Sequence, residues 1–350
     1  MNVSLEEFED LLARASSGQA RLLVAQRMMR AGFSRRAEEI AREALAAPPD
    51  SPEVRALARA ILARNVPYWH FGLVQDTERN DAYELALKRT IRPGMRVLEI
   101  GAGTGLLAMM AARAGAVEVI TCEANPTVAE TARGIIAQNG YDDRVSIVAK
   151  HSDDLKIGVD LPAKADMLVS EIIANNLFAE HALPAIGRVQ RNLLADDGIV
   201  IPAVASVRIA LAEAPDTREM GVVSGFDLSA FNGHLPPHTV VSVGNEGLRL
   251  RSAARDLFRI DFQSRRFSMG GRARTELDSL GGRINAVVQW LYMDMDGRGT
   301  TYENRPAPGR QSAWASNVYH ITPVDSSPGD MFVVEGTHDV TDLRIWARPR

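Results

Sequence analysis

The chain has 350 residues, of which 46% are hydrophobic and 24% charged, a composition typical of globular proteins with sizeable cores. Its 40 basic and 44 acidic residues give a formal net charge of -4, so bulk charge gives no reason to expect binding to nucleic acid or membrane. A single cysteine, Cys122, excludes an intramolecular disulfide framework and a multi-cysteine zinc site, and it favours a reducing, cytoplasmic location. No run of about 18 apolar residues predicts a membrane span.

Residues 1–65 are rich in Ala, Arg, Leu and Glu, and their apolar residues recur at helical spacing. Gly32 separates two predicted helices, and the pair resembles a tetratricopeptide-type hairpin. One such unit cannot stack into a solenoid by itself. The extension is therefore interpreted either as a helical cap that packs on the rest of the chain or as a docking surface for a partner.

Residues 66–202 alternate between predicted strands and predicted helices, which indicates a Rossmann-like domain built on a parallel sheet. Residues 203–350 are mostly β in character, and a second domain of antiparallel strands fits them best. The predicted strands of the first domain are 95–100, 117–123, 144–149, 165–170 and 198–202.

A glycine-rich turn, "GAGTG", lies between the first predicted strand and an apolar helix, and it contains Gly101, Gly103 and Gly105. Glycines let the backbone pass close to a ligand, and the N-terminus of the following helix offers free N–H groups. A dinucleotide fingerprint would have a further glycine where Leu106 stands, which weakens an NAD-binding interpretation.

Two acidic residues follow the next two predicted strands. Glu123 ends the second strand, where its carboxylate could accept hydrogen bonds from two ribose hydroxyls. Asp153 follows the third strand, where it could accept from an adenine amino group. Together with the glycine turn, these acids predict a site for an adenosyl ligand that lacks a pyrophosphate.

Two further acids, Glu171 and Glu180, lie in "SEIIANNLFAEHALP", which begins at the end of the fourth predicted strand. Ligands of open α/β sheets bind beyond the carboxyl ends of the strands, so Glu171 is expected in the cofactor crevice. Two carboxylates could hold a planar guanidinium and polarise it for attack. The alternative is that they are exposed loop acids, or that Glu180 caps the following helix.

These motifs resemble those of the S-adenosylmethionine-dependent protein arginine methyltransferases. "VLEIGAGTG" is similar to the first cofactor motif of that family, "ITCEANP" to its ribose-binding strand end, and the segment with both acids to its double-glutamate loop. The resemblance implies S-adenosyl-L-methionine as cofactor. It also implies that Glu171 and Glu180 hold the guanidinium of an arginine substrate and that either acid takes its proton.

Upstream, "YWHFGLVQDTERNDAY" is similar to the short helix that folds over the cofactor in that family. The matching positions imply that His70 and Arg79 face the cofactor and that Arg79 holds its carboxylate. Downstream, the resemblance implies a β-barrel substrate domain with a helical dimerisation arm near residues 215–240, and hence a homodimer. No metal is expected, because the seven histidines have no repeated metal-binding spacing.

The chain departs from the family in its predicted substrate loop. Members usually carry Thr-His-Trp there, and this chain has Ser312, Ala313 and Trp314. Trp314 could still pack beside the substrate, but the histidine is absent. His181 and His320 are interpreted as surface or core histidines and not as its replacement.

The family includes bacterial enzymes of natural-product pathways that methylate free L-arginine, and we expect this chain to be of that kind. Protein arginine methylation is the alternative. A binding scaffold that has lost catalysis and a methyltransferase for lysine or a ribosomal component are further alternatives, which the retained pair of acids disfavours.

Overall fold

The computed structural model describes residues 4–47, 51–215 and 219–350. Its first four helices form an N-terminal helical unit around a hydrophobic core of their own, which includes Phe8, Leu22 and Met28. Serines at the start of three of these helices favour them, since the side chains of Ser4, Ser17 and Ser51 accept N–H groups of the first turn. The helices are α1 (Leu5–Ala13), α2 (Gly18–Arg30), α3 (Ser34–Ala46) and α4 (Pro52–Leu62).

The next part of the chain builds a five-stranded parallel sheet in the order β3-β2-β1-β4-β5. The chain winds outward from β1 to β3 and then returns to the other side of β1, so a crevice opens at the carboxyl ends of β1 and β4. The elements are α5 (Trp69–Gln75), α6 (Thr77–Thr90), β1 (Arg96–Ile100), α7 (Leu106–Arg113), β2 (Glu118–Cys122), α8 (Pro126–Gln138), β3 (Val145–Val148), β4 (Ala165–Ser170), α9 (Ala182–Asn192) and β5 (Leu194–Ile201).

The remaining strands form an eight-stranded antiparallel sheet, together with a separate hairpin of β7 and β8. Two long strands, β12 and β14, pair along most of their length, and β6 pairs with the other side of β12. The strands are β6 (Val204–Glu213), β7 (Val222–Val223), β8 (Phe226–Asp227), β9 (Thr239–Val241), β10 (Arg249–Leu250), β11 (Arg255–Asp261), β12 (Gly271–Asp294), β13 (Thr301–Glu303), β14 (Ser316–His338) and β15 (Leu343–Pro349).

The two sheets share one continuous hydrophobic core, which contains Val97 of β1 and Leu168 of β4 as well as Val207 of β6 and Tyr319 of β14. The predicted fold class is confirmed: a Rossmann-like domain precedes an antiparallel β domain, with helices at the N-terminus. The domain boundaries after residues 65 and 202 stay predictions. No helix within the described ranges combines the length and the apolarity that a bilayer crossing requires.

Replacing Leu22 with Ala should destabilise the helical unit. Leu22 is fully buried in its core, and truncating a buried leucine to alanine costs about 2–5 kcal/mol because it loses apolar contacts and leaves a cavity. Leu23→Ala is a matched control on the same helix, since Leu23 is 48% exposed. Denaturant titration followed by circular dichroism should give a large loss for Leu22→Ala only. Equal losses in both variants would contradict the packing described here.

Candidate active site

The glycine turn directly follows the end of β1. Gly101 and Gly105 have φ values of 86° and 79°, in the left-handed region where a side chain is strained. A Cβ on Gly101 would lie 2.6 Å from Ile172 Cγ2, and one on Gly105 would lie 2.9 Å from Ile136 Cδ1. Glycine at these positions therefore lets the turn approach both the double-glutamate loop and helix α8.

The carboxyl ends of β1 and β4 border a cavity of about 700 Å³. It brings together most of the site residues predicted from the sequence. Gly105 and Trp314 do not line it: Gly105 packs on α8, and Trp314 lies behind the glutamate loop. The predicted residues that line the cavity are His70, Arg79, Gly101, Gly103, Glu123, Asp153, Glu171 and Glu180.

Glu123 follows β2 and is fixed by two backbone groups. Its Oε2 accepts the N–H of Gly103 at 3.1 Å, and its Oε1 accepts the N–H of Asn125 at 2.8 Å. A carboxylate oxygen has lone pairs for more than one donor, so both oxygens can still accept ribose hydroxyls. The hydrogen bond from Gly103 fixes the position of the Glu123 carboxylate relative to the glycine turn.

Asp153 is partly exposed and already has a cationic partner. Its Oδ1 lies 2.9 Å from Nε of Arg188, on α9, and its Oδ2 lies 3.5 Å from Nδ1 of His151. All three residues line the cavity. An adenine amino group would therefore share Asp153 with Arg188, a residue that the sequence did not single out.

His70 lies on α5, at the cavity wall next to Trp69. The two rings stack with centroids 3.9 Å apart, and Trp69 remains 50% exposed. Partial burial lowers the pKa of His70, against the opposing effect of the Glu123 and Glu180 carboxylates. His70 is therefore a predominantly neutral imidazole near pH 7, able to pack against a ligand and to make one hydrogen bond as a donor and one as an acceptor.

Glu171 and Arg79 form a buried ion pair in the lining of the cavity. Arg79 Nη1 lies 3.0 Å from Glu171 Oε2, and their side chains are only 3% and 7% exposed. Asn80 holds the guanidinium, since its Oδ1 accepts from Arg79 Nη2 at 2.8 Å. Burial raises the pKa of Glu171 to about 8, against the opposing effect of Arg79 and with a further rise from Glu180.

Glu180 is exposed at the mouth of the cavity, on a strained loop. Leu177, Glu180 and His181 have φ values of 75°, 63° and 59°, which are unfavourable for residues with side chains. Buried Leu177 and Phe178 anchor the loop, and Asn176 Oδ1 accepts the N–H groups of Phe178 and Ala179 at 3.0 and 2.8 Å. The loop is thus held where Glu180 faces the cavity.

Trp314 is buried behind this loop, where its indole N–H donates to the carbonyl of Ile173 at 2.8 Å. It supports the backbone between the two glutamates. Its predicted contact with substrate stays a prediction. Of the two histidines considered beside it, His320 contacts Thr239 and His181 lines the cavity next to Glu180.

Asp76, which the sequence analysis missed, connects the Arg79 helix to the substrate loop. Its Oδ1 caps α6 through the N–H of Arg79. Its Oδ2 accepts from Tyr302 Oη at 2.9 Å, Ser312 Oγ at 3.1 Å and the Ala313 N–H at 3.0 Å. The loop that lacks the family's histidine is thereby fixed through its backbone. The sequence analysis missed Asp76 because its partners lie more than 200 positions away, and no sequence motif spans that distance.

Glu99, on β1, is a second missed acid. It is 1% exposed and lines the cavity. Burial, together with the nearby carboxylates of Glu123 and Glu171, raises the pKa of Glu99 to about 8. The sequence could have indicated Glu99 as a site residue, because it is an acid inside the motif "VLEIG", next to the glycine turn.

The cavity suits a ligand with both a carboxylate and an ammonium group. Within the described ranges, two buried oxygens that border it have no hydrogen-bond partner, Glu99 Oε2 and Glu171 Oε1, and the buried Arg79 Nη1 has its ion pair with Glu171 Oε2 but no well-aligned hydrogen bond. A ligand carboxylate would satisfy Arg79, and ammonium or guanidinium donors would satisfy the acids. The same ranges contain no group of three or more His, Cys, Asp or Glu side chains suited to a metal ion.

Residues 85–201 match the profile of a family described as Ribosomal protein L11 methyltransferase (PrmA). This stretch runs from α6 to the end of β5 and leaves the β domain outside. It contains the glycine turn, Glu123 and the double-glutamate loop. The fold and the site thus define an S-adenosylmethionine-dependent methyltransferase.

Comparison with known proteins narrows this class. The chain is 39% identical over 311 residues to an arginine N(omega)-methyltransferase from Streptomyces achromogenes subsp. streptozoticus, covering 86% of this chain and 84% of that relative. It is 31% identical over 255 residues to protein arginine N-methyltransferase 7 from Drosophila grimshawi, covering 65% of this chain but only 36% of that longer relative. The chain belongs to the S-adenosylmethionine-dependent arginine N-methyltransferases.

The fold agrees with this assignment. A solved Trypanosoma brucei PRMT1 enzyme-prozyme complex with AdoHcy superposes with a TM-score of 0.70 at 20% identity, over 80% of this chain and 92% of that chain. The predictions of family, enzyme class and cofactor are confirmed. The individual roles of the site residues stay predictions.

Glu99→Gln should stabilise the protein more at pH 9 than at pH 5, measured without ligands. The pKa of Glu99 rises from about 4.5 in the unfolded chain to about 8 in the folded one, so its ionisation weakens folding progressively across that interval. Glutamine removes this penalty, and we expect the gain at pH 9 to exceed that at pH 5 by about 2 kcal/mol or more.

The matched control is Glu130→Gln, on the exposed surface of α8. It should change the free energy of unfolding by nearly the same small amount at both pH values. Urea titration of the three proteins measures the difference. A gain for Glu99→Gln that does not depend on pH would contradict the raised pKa.

Proposed function

We propose that the protein transfers a methyl group from S-adenosylmethionine to a guanidino nitrogen of free L-arginine. One observation carries the proposal: a buried glutamate, Glu171, and an exposed one, Glu180, face the same cavity as the predicted cofactor residues. The name of the Streptomyces relative, which aligns over most of both chains, supports arginine itself as the substrate.

The charges that line the cavity suit a cationic substrate. Lys150 is paired with Asp160, and Arg188 with Asp153. Arg79, which pairs with Glu171, borders the cavity together with three further acids: Glu99, Glu123 and Glu180. A guanidinium would bring a second positive charge to Glu171 and favour its ionised form.

The proposed mechanism is a direct displacement. When bound, the cofactor supplies an electrophilic methyl group on its sulfonium. Glu123 would hold the ribose, and Arg79 the carboxylate of the cofactor. Glu171 and Glu180 would fix the guanidinium plane and draw positive charge away from the attacking nitrogen, an effect that is strong in a buried site.

One proton leaves the guanidinium in each turnover, because a methyl group replaces a hydrogen and the product remains a cation. Glu171 is the better acceptor of the two acids, since burial raises its pKa to about 8. Glu180, exposed at the cavity mouth, would orient the substrate. The sequence left this choice open.

Methylation of protein arginine is the second candidate, favoured by the similarity to protein arginine N-methyltransferase 7. Mass spectrometry after incubation with S-adenosylmethionine and either free L-arginine or an Arg/Gly-rich peptide separates the two. We expect a methyl mass increment on free arginine and none on the peptide. Methylation of the peptide alone would favour the second candidate, and no methylation of either would contradict both.

Glu171→Gln should lower kcat for free arginine by at least about 100-fold, because it removes the charge that holds the guanidinium and the group that takes its proton. Glu130→Gln is again the control, and it should retain wild-type kcat. Turnover in the Glu171→Gln variant equal to wild type would favour a different chemistry, and a wild-type protein without turnover would favour a scaffold.

We propose that the protein is a homodimer joined through the dimerisation arm. Of this arm, near residues 215–240, only 216–218 lie outside the described ranges, and residues 219–240 contain the hairpin of β7 and β8 and a short 3-10 turn. Its apolar side chains are exposed in the single chain: Val222 by 73%, Phe226 by 72% and Phe231 by 60%. Such a patch is typical of a covered surface.

Light scattering should give twice the 38.1 kDa mass of the chain at micromolar concentration. The double variant Phe226→Asp and Phe231→Asp should be monomeric, because buried aspartates would lose solvation in the interface. Leu280→Asp is the control, at a residue 65% exposed on β12 outside the arm. A monomeric wild type, or a dimer that survives the double change, would count against this arrangement.

A cytoplasmic location stays a proposal from the single cysteine.

A further inference from the structure

The N-terminal helical unit is joined to the cofactor domain through a buried acid, Glu38 of α3. This residue is 2% exposed although it lies on a helix whose other acids face solvent. Its Oε1 accepts from Asn65 Nδ2 at 2.8 Å, and its Oε2 accepts from the Thr127 hydroxyl on α8. Arg42 lies 3.6 Å from the same Oε2. Both oxygens are thus satisfied across the junction.

Asn65 extends this contact to the turn between β2 and α8. Its backbone carbonyl accepts from Asn125 Nδ2 at 2.7 Å. The other side-chain atom of that residue, Asn125 Oδ1, caps α8 by accepting the N–H of Thr127 at 3.0 Å. Both groups of the Asn125 side-chain amide, Nδ2 and Oδ1, are therefore hydrogen-bonded in this one conformation. The helical unit fixes the turn from outside the parallel sheet.

The same turn carries the predicted ribose acid. The N–H of Asn125 donates to Glu123 Oε1, and Glu123 Oε2 accepts from Gly103 in the glycine turn. A continuous hydrogen-bonded path thus runs from Glu38 through Asn65 and Asn125 to Glu123. Asn65 also lines the cavity itself, beside Asn125 and Glu123.

We infer that Glu38 is a positioning residue for cofactor binding, and that the helical unit is a structural part of the cofactor site. Fixing Asn125 fixes the carboxylate that would receive the ribose hydroxyls, and preorganised partners bind more tightly because less order is lost on binding. This inference rests on the proposed role of Glu123. It assigns the unit a role in the affinity for S-adenosylmethionine, whereas Glu171 and Glu180 lie outside the path.

Glu38→Ala tests the inference in the full-length protein. It should raise the KM for S-adenosylmethionine and the Kd for S-adenosylhomocysteine by about fivefold to tenfold, the loss expected for one or two hydrogen bonds. The kcat and the KM for arginine should stay within about twofold, because the groups that hold the guanidinium are untouched. Steady-state kinetics and isothermal titration calorimetry provide these values.

Three further variants keep the test decisive. Glu39→Ala changes the next residue of α3, whose carboxylate pairs with Arg35 and Arg36 on the surface, and should leave the Kd unchanged. Glu38→Gln keeps an acceptor for Asn65 and should restore most of the affinity. Thr127→Val removes only the hydroxyl contact and should raise the Kd by about threefold. This variant tests the inference by itself if Glu38→Ala fails to fold.

The outcomes separate this inference from the proposed function. A wild-type protein that binds S-adenosylhomocysteine but methylates no arginine contradicts the proposed substrate and leaves the cofactor test valid. Folded Glu38→Ala and Thr127→Val proteins with wild-type Kd values would overturn the inference. So would an equal loss of affinity in Glu39→Ala, since the effect would then not depend on the buried contact.

Discussion

The ion pair between Arg79 and Glu171 is the constraint on which the site depends. A buried carboxylate is costly unless it is neutralised or paired, and Glu171 lies where β4 ends inside the crevice. Arg79 reaches it from α6, the helix that Asp76 caps and ties to the loop of Ser312 and Ala313. Burial raises the pKa of Glu171 although the pairing with Arg79 opposes the rise, and one oxygen of Glu171 has no hydrogen-bond partner. The site is therefore ready for another cation.

Rigidity around this pair comes from both domains. The double-glutamate loop holds three side-chain-bearing residues in left-handed conformations, which the chain tolerates because the loop is anchored by buried Phe178 and by Asn176. The β domain contributes Trp314, whose indole fixes the carbonyl of Ile173 between the two acids. A planar guanidinium can be held in one orientation only if its partners do not move.

The hydrophobic cores divide the molecule differently from the predicted domains. The parallel sheet and the β domain share one core, so the two are parts of a single body. The helical unit has a core of its own, and it is joined to the cofactor domain by hydrogen bonds that Glu38 accepts from Thr127 and Asn65 accepts from Asn125. Hydrogen bonds and ion pairs need specific geometry, whereas apolar packing tolerates small shifts. A junction with such contacts can therefore set the position of a nearby turn.

The sequence by itself determined the fold class and the cofactor, and most of the site residues that it predicted do line the crevice. Strand and helix periods, the glycine spacing and the acids that follow β2 and β4 are local patterns, and an open parallel sheet brings its strand ends together without further information. Only the tertiary structure decided that Arg79 pairs with Glu171 and Arg188 with Asp153, that Glu99 lines the cavity, and that Asp76 contacts Tyr302. These contacts join distant parts of the chain, and whether a polar side chain is buried, and beside which partner, depends on how the elements pack.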